Sequence, residues 1–348
     1  MHSNSKKTVL VTGGSGFLGS WIITALLNRG YAVRATVRSK SREADVRTKI
    51  ARHTQPQANE SLTFVVADLL SDDGWEDATK GVDSILHTAS PMPVGKYKGT
   101  DIIRPAREGT MRVINAGHRA GVRRIVLTSS LQAALPSSTY SGPPTDETIW
   151  TDLSSKLAND YTKAKTLAEQ DAWAFFKEHS GATTLTTILP GMVQGPVLGA
   201  EYSGSVDLIA QMMRGKMPAI PHIGFSIIDV RDLVELHLLA MESELAAGQR
   251  FVGSSDFLWL EDVARLLKES FGTQASKVST SRLPDLFVRL MAYVNADMKM
   301  IAPTLGQKRE FSIEKARRLL GWQARSASEA VLAGVESLIK ERLIASGE

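Results

Sequence analysis

The chain has 348 residues, 43% of them hydrophobic and 22% charged, a composition that argues against disorder and a length that suits a two-lobed unit or two domains. Its 41 basic and 37 acidic residues leave a net charge of +4 spread along the chain, with no run of like charge that would form a nucleic-acid arm. The absence of cysteine removes disulfides and thiolate metal sites and fits a reducing compartment. The opening "MHSNSKK" is polar, the apolar run in "TVLVTGG" is too short for a signal-peptide core, and no stretch approaches the roughly 20 apolar residues of a membrane helix. The expectation is a cytoplasmic monomer or homodimer, with neither membrane nor nucleic acid as a partner.

"TVLV" is the kind of apolar run that forms a fully covered strand, and "FLGSWIITALLNRG" follows as a helix closed by Gly30. Strands are expected at "YAVRATV", "LTFVVAD" and "SILHTA", then a long helix over residues 102–120 and a fifth strand at "RRIVLTSS". A helix carrying "NDYTKAKTLAEQDAW" and the strand "TTLTTILP" complete the first half. Strand and helix in alternation imply crossover connections and a parallel sheet covered on both faces. Beyond Pro190 glycine and proline become frequent as far as Pro221, and the apolar segments shorten and turn helical. "DVRDLVELHLLAM" reads as a helix with Asp229 as N-cap, and "SASEAVLAGVESLI" opens with a capping box from Ser326 to Glu329. The expected fold is α/β. A Rossmann-type doubly wound parallel sheet occupies residues 1–190, with a returning segment near 224–253. A smaller C-terminal substrate lobe is formed by residues 191–223 and 254–348.

"VTGGSGFLGS" lies between the first strand and the first helix, with Gly13, Gly16 and Gly19 at G-x-x-G-x-x-G spacing. Glycines there let the chain turn tightly and let backbone N–H groups reach a pyrophosphate at the helix N-terminus, where the dipole favours negative charge. Ser15, Phe17 and Leu18 belong to the same cradle. The end of the second strand selects the dinucleotide. An NAD site usually places an acid there for the ribose 2′-OH, whereas "RATVRSK" has Val37 at that position and Arg38 next. A guanidinium binds a 2′-phosphate through paired, charge-assisted hydrogen bonds and Lys40 adds charge, so the segment points to NADPH/NADP+. Asp68, in "VVADLL", either accepts from the adenine amine, with Leu69 against the ring, or caps a helix. In "SILHTASP", His87 reads as a buried structural histidine, and the backbone of Thr88, Ala89 and Ser90 as cofactor lining.

"VLTSS" places Ser129 and Ser130 at the carboxyl edge of the sheet, where ligands bind in such folds. Tyr161 and Lys165 stand four residues apart and therefore share one helix face. No metal site is expected.

In order along the chain, "TGGSGFLGS", "VRATVR", "LHTASP", "TSS", "YTKAK", "LPGMVQGP", "DVRDL" and then "FSIEKARRLLGW" make the sequence resemble an extended short-chain dehydrogenase/reductase. It is most similar to the group of dihydroflavonol reductases, cinnamoyl-CoA reductases and yeast-type aldehyde reductases. The resemblance implies a triad of Ser130, Tyr161 and Lys165, with Ser129 as the alternative serine if the register differs by one. It implies that Tyr161 protonates a carbonyl oxygen as hydride arrives from the nicotinamide. Lys165 then lowers the phenol pKa and holds the ribose, and Ser130 orients the substrate oxygen. Pro190 and the backbone of Gly191 and Val193 are implied to flank the nicotinamide. Leu135 stands where the plant flavonoid reductases usually carry an asparagine, and "NDYTKAK" lacks the distinctive sequence of the cinnamoyl-CoA reductases around the tyrosine. The remaining pocket candidates, Met92, Pro93, Leu135, Met192, Tyr202 and Phe225, are mainly apolar and suit an aromatic or aliphatic aldehyde or ketone. The leading expectation is NADPH-dependent carbonyl reduction. The alternatives are a hydroxysteroid dehydrogenase, a nucleotide-sugar epimerase or dehydratase, and a non-catalytic NADP(H) sensor, which would not need the triad.

Overall fold

The computed structural model describes residues 6–91, 101–137, 140–155 and 157–344. Strands β1 (Thr8–Thr12), β2 (Ala32–Val37), β3 (Leu62–Val66), β4 (Ser84–His87), β5 (Arg124–Thr128) and β6 (Thr184–Pro190) follow the expected order. β7 (Met192–Gln194), β8 (Ile220–Pro221) and β9 (Gly224–Asp229) leave the main sheet, β10 (Arg250–Gly253) rejoins it, and β11 (Phe257–Trp259) and β12 (Arg282–Leu283) are short. Helices α1 (Phe17–Asn28), α2 (Arg42–Ala51), α3 (Pro56–Asn59), α4 (Trp75–Thr79), α5 (Ile103–Arg119) and α6 (Asp160–Glu178) connect the first six strands. Those that follow are α7 (Gly204–Met213), α8 (Val230–Glu242), α9 (Leu260–Phe271), α10 (Asp285–Met291), α11 (Ala296–Ile301), α12 (Glu314–Leu320) and α13 (Ala327–Lys340).

The seven-stranded sheet is parallel throughout, in the order β10-β6-β5-β4-β1-β2-β3. Side chains alternate across it with the period of a strand. Val9, Val11 and Val126 enter a core built with Ile22, Ile23 and Leu26 of α1 and Leu233 of α8. Leu10, Ile125 and Leu127 enter the opposite core with Val113 and Ile114 of α5 and Phe175 of α6. Both faces are therefore dry, which is why these strands are uninterrupted apolar runs. A third core joins Val206 and Ile209 of α7, Val263 of α9 and Val331 and Val335 of α13 to Ile227 of β9.

Two sheets meet behind the carboxyl edge. The Gly191 N–H donates to the Gly253 carbonyl at 3.0 Å, and the chain then enters β7, which runs parallel to β9 in a three-stranded sheet completed by antiparallel β11. Local chemistry stops the elements where they stop. Gly30 takes φ +83 just past α1, the Asp229 carboxylate accepts the Arg231 N–H at 2.8 Å, and Ser326 and Glu329 form the capping box of α13. β3 ends two residues before Asp68, because that side chain accepts the Leu70 N–H at 3.0 Å and turns the chain. β5 ends at Thr128, and Ser130 caps a 3-10 turn over Leu131–Ala134. α2 was not apparent in the sequence, since only Val46 and Ile50 of its ten residues are buried. Among the described residues no helix is long and apolar enough to cross a membrane.

Candidate active site

The strand order reverses between β1 and β4, opening a crevice at their carboxyl ends. The glycine loop fills its floor. Gly13 has φ +70, and a Cβ on it would stand 3.0 Å from the Ala89 Cα at the end of β4. A Cβ on Gly19 would stand 2.4 Å from the Gly13 carbonyl oxygen, so the first turn of α1 rests directly on the loop. The Gly16 N–H closes the turn onto the same carbonyl at 2.9 Å. Thr12 ties the loop to the β4 end, its hydroxyl oxygen accepting the Thr88 and Ala89 N–H groups at 3.1 Å each. The Thr88 hydroxyl is committed to the Thr12 carbonyl at 2.7 Å and that of Ser90 to the Pro91 carbonyl, so these residues offer backbone rather than hydroxyls. Phe17 is buried in the C-terminal core and Leu18 packs between two cores, so both face the crevice through their backbone only.

Val37 is buried, while Arg38 and Lys40 beyond it are exposed and have no carboxylate partner among the described residues. A close-packed glycine turn at a helix N-terminus, with unpaired cations at the end of β2, fits a dinucleotide carrying a 2′-phosphate. Asp68 is half-buried with one carboxylate oxygen on Leu70, and the Leu69 side chain packs against Gly109 of α5. Lys49 of α2, not anticipated from the sequence, donates to the Ser15 carbonyl at 3.2 Å. Burial pulls its ammonium below the usual lysine range, with Glu201 opposing.

Tyr161, Lys165 and Glu169 recur every four residues along α6, on the face turned to the ends of β5 and β6. The Asn159 side chain starts this helix by accepting the Thr162 N–H at 2.9 Å, which places Tyr161 in its first turn. Tyr161 packs partly buried against Ile102, Ala106, Ala164 and Ala168. Burial raises its phenol above the usual value of 10.0, and the Ser130 hydroxyl beside it lowers it in part. The expected lowering by Lys165 is therefore not the ruling effect. Lys165 is buried, donates to the Thr128 carbonyl at 3.3 Å, and is pulled down to about 8 by burial, with Glu169 pulling the other way.

The two serines have different occupations. The Ser129 hydroxyl donates to Glu169 at 2.6 Å and is spent there. The Ser130 oxygen accepts the Gln132 N–H at 3.2 Å, which leaves its proton available beside Tyr161. His87 is fully buried, with Nδ1 2.7 Å from the Thr12 hydroxyl. Because that hydroxyl oxygen already accepts two N–H groups, it donates to Nδ1 and leaves the imidazole proton on Nε2. Burial, aided by Lys165, lowers the His87 pKa to about 3, so the ring is neutral and holds β4 to β1.

The substrate candidates do not all converge. Met92 and Pro93 lie outside the described residues. Leu135 is buried at the wall of a cavity of about 570 Å³, with Leu157, Pro303 and Gln307 among its neighbours there. Pro190 ends β6, Met192 and Val193 pair with Ile227 and Ile228, and Phe225 pairs with Leu258, all along the junction of the two sheets. A Cβ on Gly191 would stand 2.3 Å from the Ser226 carbonyl oxygen, so glycine lets the strands meet there. Tyr202 packs against the same C-terminal core as Met192 and Phe225, its hydroxyl accepting from Arg214 at 3.1 Å. Glu169 and Arg250 were also not singled out from the sequence, although the four-residue spacing in "YTKAKTLAE" was the available signal for the first.

The model of the NAD dependent epimerase/dehydratase family matches residues 9–252. Cinnamoyl-CoA reductase 1 of Petunia hybrida is 36% identical over 275 residues, covering 78% of this chain and 79% of the relative. Dihydroflavonol 4-reductase of Zea mays is 34% identical over 277 residues, covering 77% and 76%. Among solved structures, the yeast methylglyoxal/isovaleraldehyde reductase Gre2 complexed with NADPH superposes with a TM-score of 0.77 at 23% identity, over 96% of this chain and 99% of that one. UDP-glucose 4-epimerase from Thermotoga maritima does so at 0.71 and 21% identity, over 96% and 99%, so the fold alone does not separate reductase from epimerase. With the glycine turn, the parallel sheet and a family match over well more than half of its length, the chain belongs to the NAD dependent epimerase/dehydratase family, the extended short-chain dehydrogenases/reductases.

Proposed function

We propose that this chain is an NADPH-dependent carbonyl reductase that converts an aldehyde or ketone to the alcohol, with Tyr161 as proton donor. The observation that carries the reading is the meeting of Ser130, Tyr161 and Lys165 at the carboxyl edge of the sheet, while Ser129 is held by Glu169. When bound, NADPH supplies the hydride. Burial keeps the Tyr161 phenol protonated at neutral pH, so it has a proton to give as negative charge develops on the carbonyl oxygen. Ser130, its oxygen occupied by the Gln132 N–H, donates to that same oxygen and fixes its direction. Lys165 spends one N–H on the Thr128 carbonyl and keeps two for the ribose hydroxyls, and its positive charge stabilises the phenolate left by proton transfer.

Val37 and Arg38 favour NADP(H) over the NAD of the family's description. The names cinnamoyl-CoA reductase and dihydroflavonol 4-reductase support reduction rather than epimerisation. Leu135 meets the 570 Å³ cavity beside Leu157 and Pro303, while Ser137, Thr151, Asp152 and Gln307 line it with polar groups; Met192 and Phe225 pack separately, against the C-terminal core. An aromatic or aliphatic carbonyl with a polar substituent suits that mixed lining.

The test is a carbonyl panel followed by NADPH absorbance, run on wild type and Tyr161→Phe. The variant should lose roughly 10²-fold or more in turnover while its NADPH affinity stays near wild type. Near wild-type reduction by Tyr161→Phe would remove the tyrosine from the mechanism.

A further inference from the structure

Glu169 is 1% exposed and receives hydrogen bonds from four side chains, one of them the Trp173 indole of its own helix at 3.3 Å. Arg250 of β10 binds it side-on, Nε to Oε1 at 2.8 Å and the second nitrogen to Oε2 at 3.3 Å. Thr187 of β6 donates at 2.7 Å, and Ser129, at the end of β5, at 2.6 Å. Arg250 is itself held by the carbonyls of Glu147 and Ile149 and lies 3.7 Å over the Trp150 ring. A buried pair of this kind adds little stability over apolar packing of the same shape, whereas removing one partner is costly. Its placement is what distinguishes it. Glu169 is one helical turn beyond Lys165, and a cavity of only about 10 Å³, room for about one water, touches both residues and Ser129. With so little solvent between them, the carboxylate acts on Lys165 through less screening than a surface pair would meet, though burial remains the larger effect on the ammonium.

We infer that the buried Glu169–Arg250 pair is a positioning element of the reducing site, fixing Ser130 through Ser129 and setting the charge environment of the Lys165 ammonium. This rests on the roles given to Ser130 and Lys165 in the proposed function. Among the described residues the titratable groups around Lys165 are few. Tyr161 and Glu169 face it from its own helix, neutral His87 from β4, and Arg250 stands behind Glu169. From α5 only Ala106 and Thr110 reach the intervening cavity. Burial lowers Lys165 and Glu169 raises it; the positive charge of Arg250 opposes that of Glu169, so removing one or the other should shift Lys165 in opposite directions.

The experiment titrates Lys165 in the full-length chain by trace acetylation with acetic anhydride at a series of pH values, read by mass spectrometry. Glu169→Gln should move the midpoint down by roughly one pH unit, and Arg250→Gln should move it up. If Glu169→Gln does not fold, Glu169→Gln/Arg250→Met removes both charges together and should still titrate below wild type. Midpoints that stay put, or that move together in the two single variants, overturn the charge role. Ser129→Ala leaves both charges in place. It should lower kcat about tenfold with an unshifted Lys165 midpoint and an unchanged KM for NADPH, and an unchanged kcat overturns the positioning role. A wild-type chain that reduces no carbonyl defeats the reductase reading alone, because the Lys165 titration needs no turnover.

Discussion

Replacing Gly19 by alanine tests whether the glycine turn is the cofactor cradle. The added Cβ would lie 2.4 Å from the Gly13 oxygen and 3.1 Å from its carbonyl carbon, where ordinary contact begins near 3.4 Å, so about 1 Å of movement is required. Gly13 cannot give way freely. Its N–H donates to the Thr36 hydroxyl at 3.1 Å, the Gly14 N–H donates to the Thr36 carbonyl at 3.0 Å, and Ala89 closes the other side. Nor can α1 lift off, since Ile22, Ile23 and Leu26 anchor it in the core. An overpacked backbone contact of this kind costs about 1–3 kcal/mol, and it falls on the amides expected to meet the pyrophosphate. Gly30→Ala is the matched control. Its φ of +83 makes alanine cost about 1 kcal/mol, but nothing lies within 4 Å of the new Cβ. It also sits at the far end of the helix, roughly 18 Å from the loop.

The assay is fluorescence titration of NADPH, with thermal melts at zero and saturating cofactor. Wild type and Gly30→Ala should both gain stability from NADPH, by about 2.7 kcal/mol at a hundred times Kd. Gly19→Ala should bind at least tenfold more weakly and lose most of that gain. A Gly19→Ala protein that is destabilised yet binds NADPH like wild type would show that the loop does not hold the cofactor, and the reasoning from glycine spacing would fail.

Arg38→Ala should weaken NADPH by about ten- to a hundredfold and leave NADH nearly unchanged, as removing charge-assisted bonds to a 2′-phosphate requires. Equal losses for both cofactors would refute that assignment. His87 and His237 are buried neutral, with pKa values lowered by burial to about 3 and about 4 from 6.5. Below pH 6.5 the unfolded chain takes up protons that the folded chain excludes, so stability should fall as pH drops from 6.5 towards 4, by up to about 1.4 kcal/mol per pH unit for each histidine. Denaturant midpoints at several pH values should show a shallower decline in His87→Gln/His237→Gln. An identical slope would show that other groups govern acid unfolding.

The difference between what was legible in the sequence and what was not follows from how far each signal travels along the chain. The glycine turn, Val37–Arg38 and the Tyr161–Lys165 spacing are local patterns, each contained within one element or one connection. The alternation of apolar strands and helices likewise made the parallel sheet readable, because the central strands β1, β4 and β5 are covered on both faces and therefore read as short apolar runs. The choice between Ser129 and Ser130 was not readable. It depends on which hydroxyl meets Glu169, 40 residues away, and on the N–H of Gln132 that turns Ser130 the other way. Arg250 was hidden for the same reason, since it follows Glu169 by 81 residues and joins it only when β10 pairs with β6. Tyr202 shows the converse. Its aromatic character suited a pocket, and Arg214, which caps the C-terminal end of α7, donates to its hydroxyl and ties it to that helix. Composition and spacing thus name the groups proposed to take part in chemistry, whereas long-range hydrogen bonds decide which of two similar groups keeps its proton unengaged. At this site the deciding contact is the 2.6 Å bond from Ser129 to Glu169, which leaves Ser130 as the hydroxyl beside Tyr161.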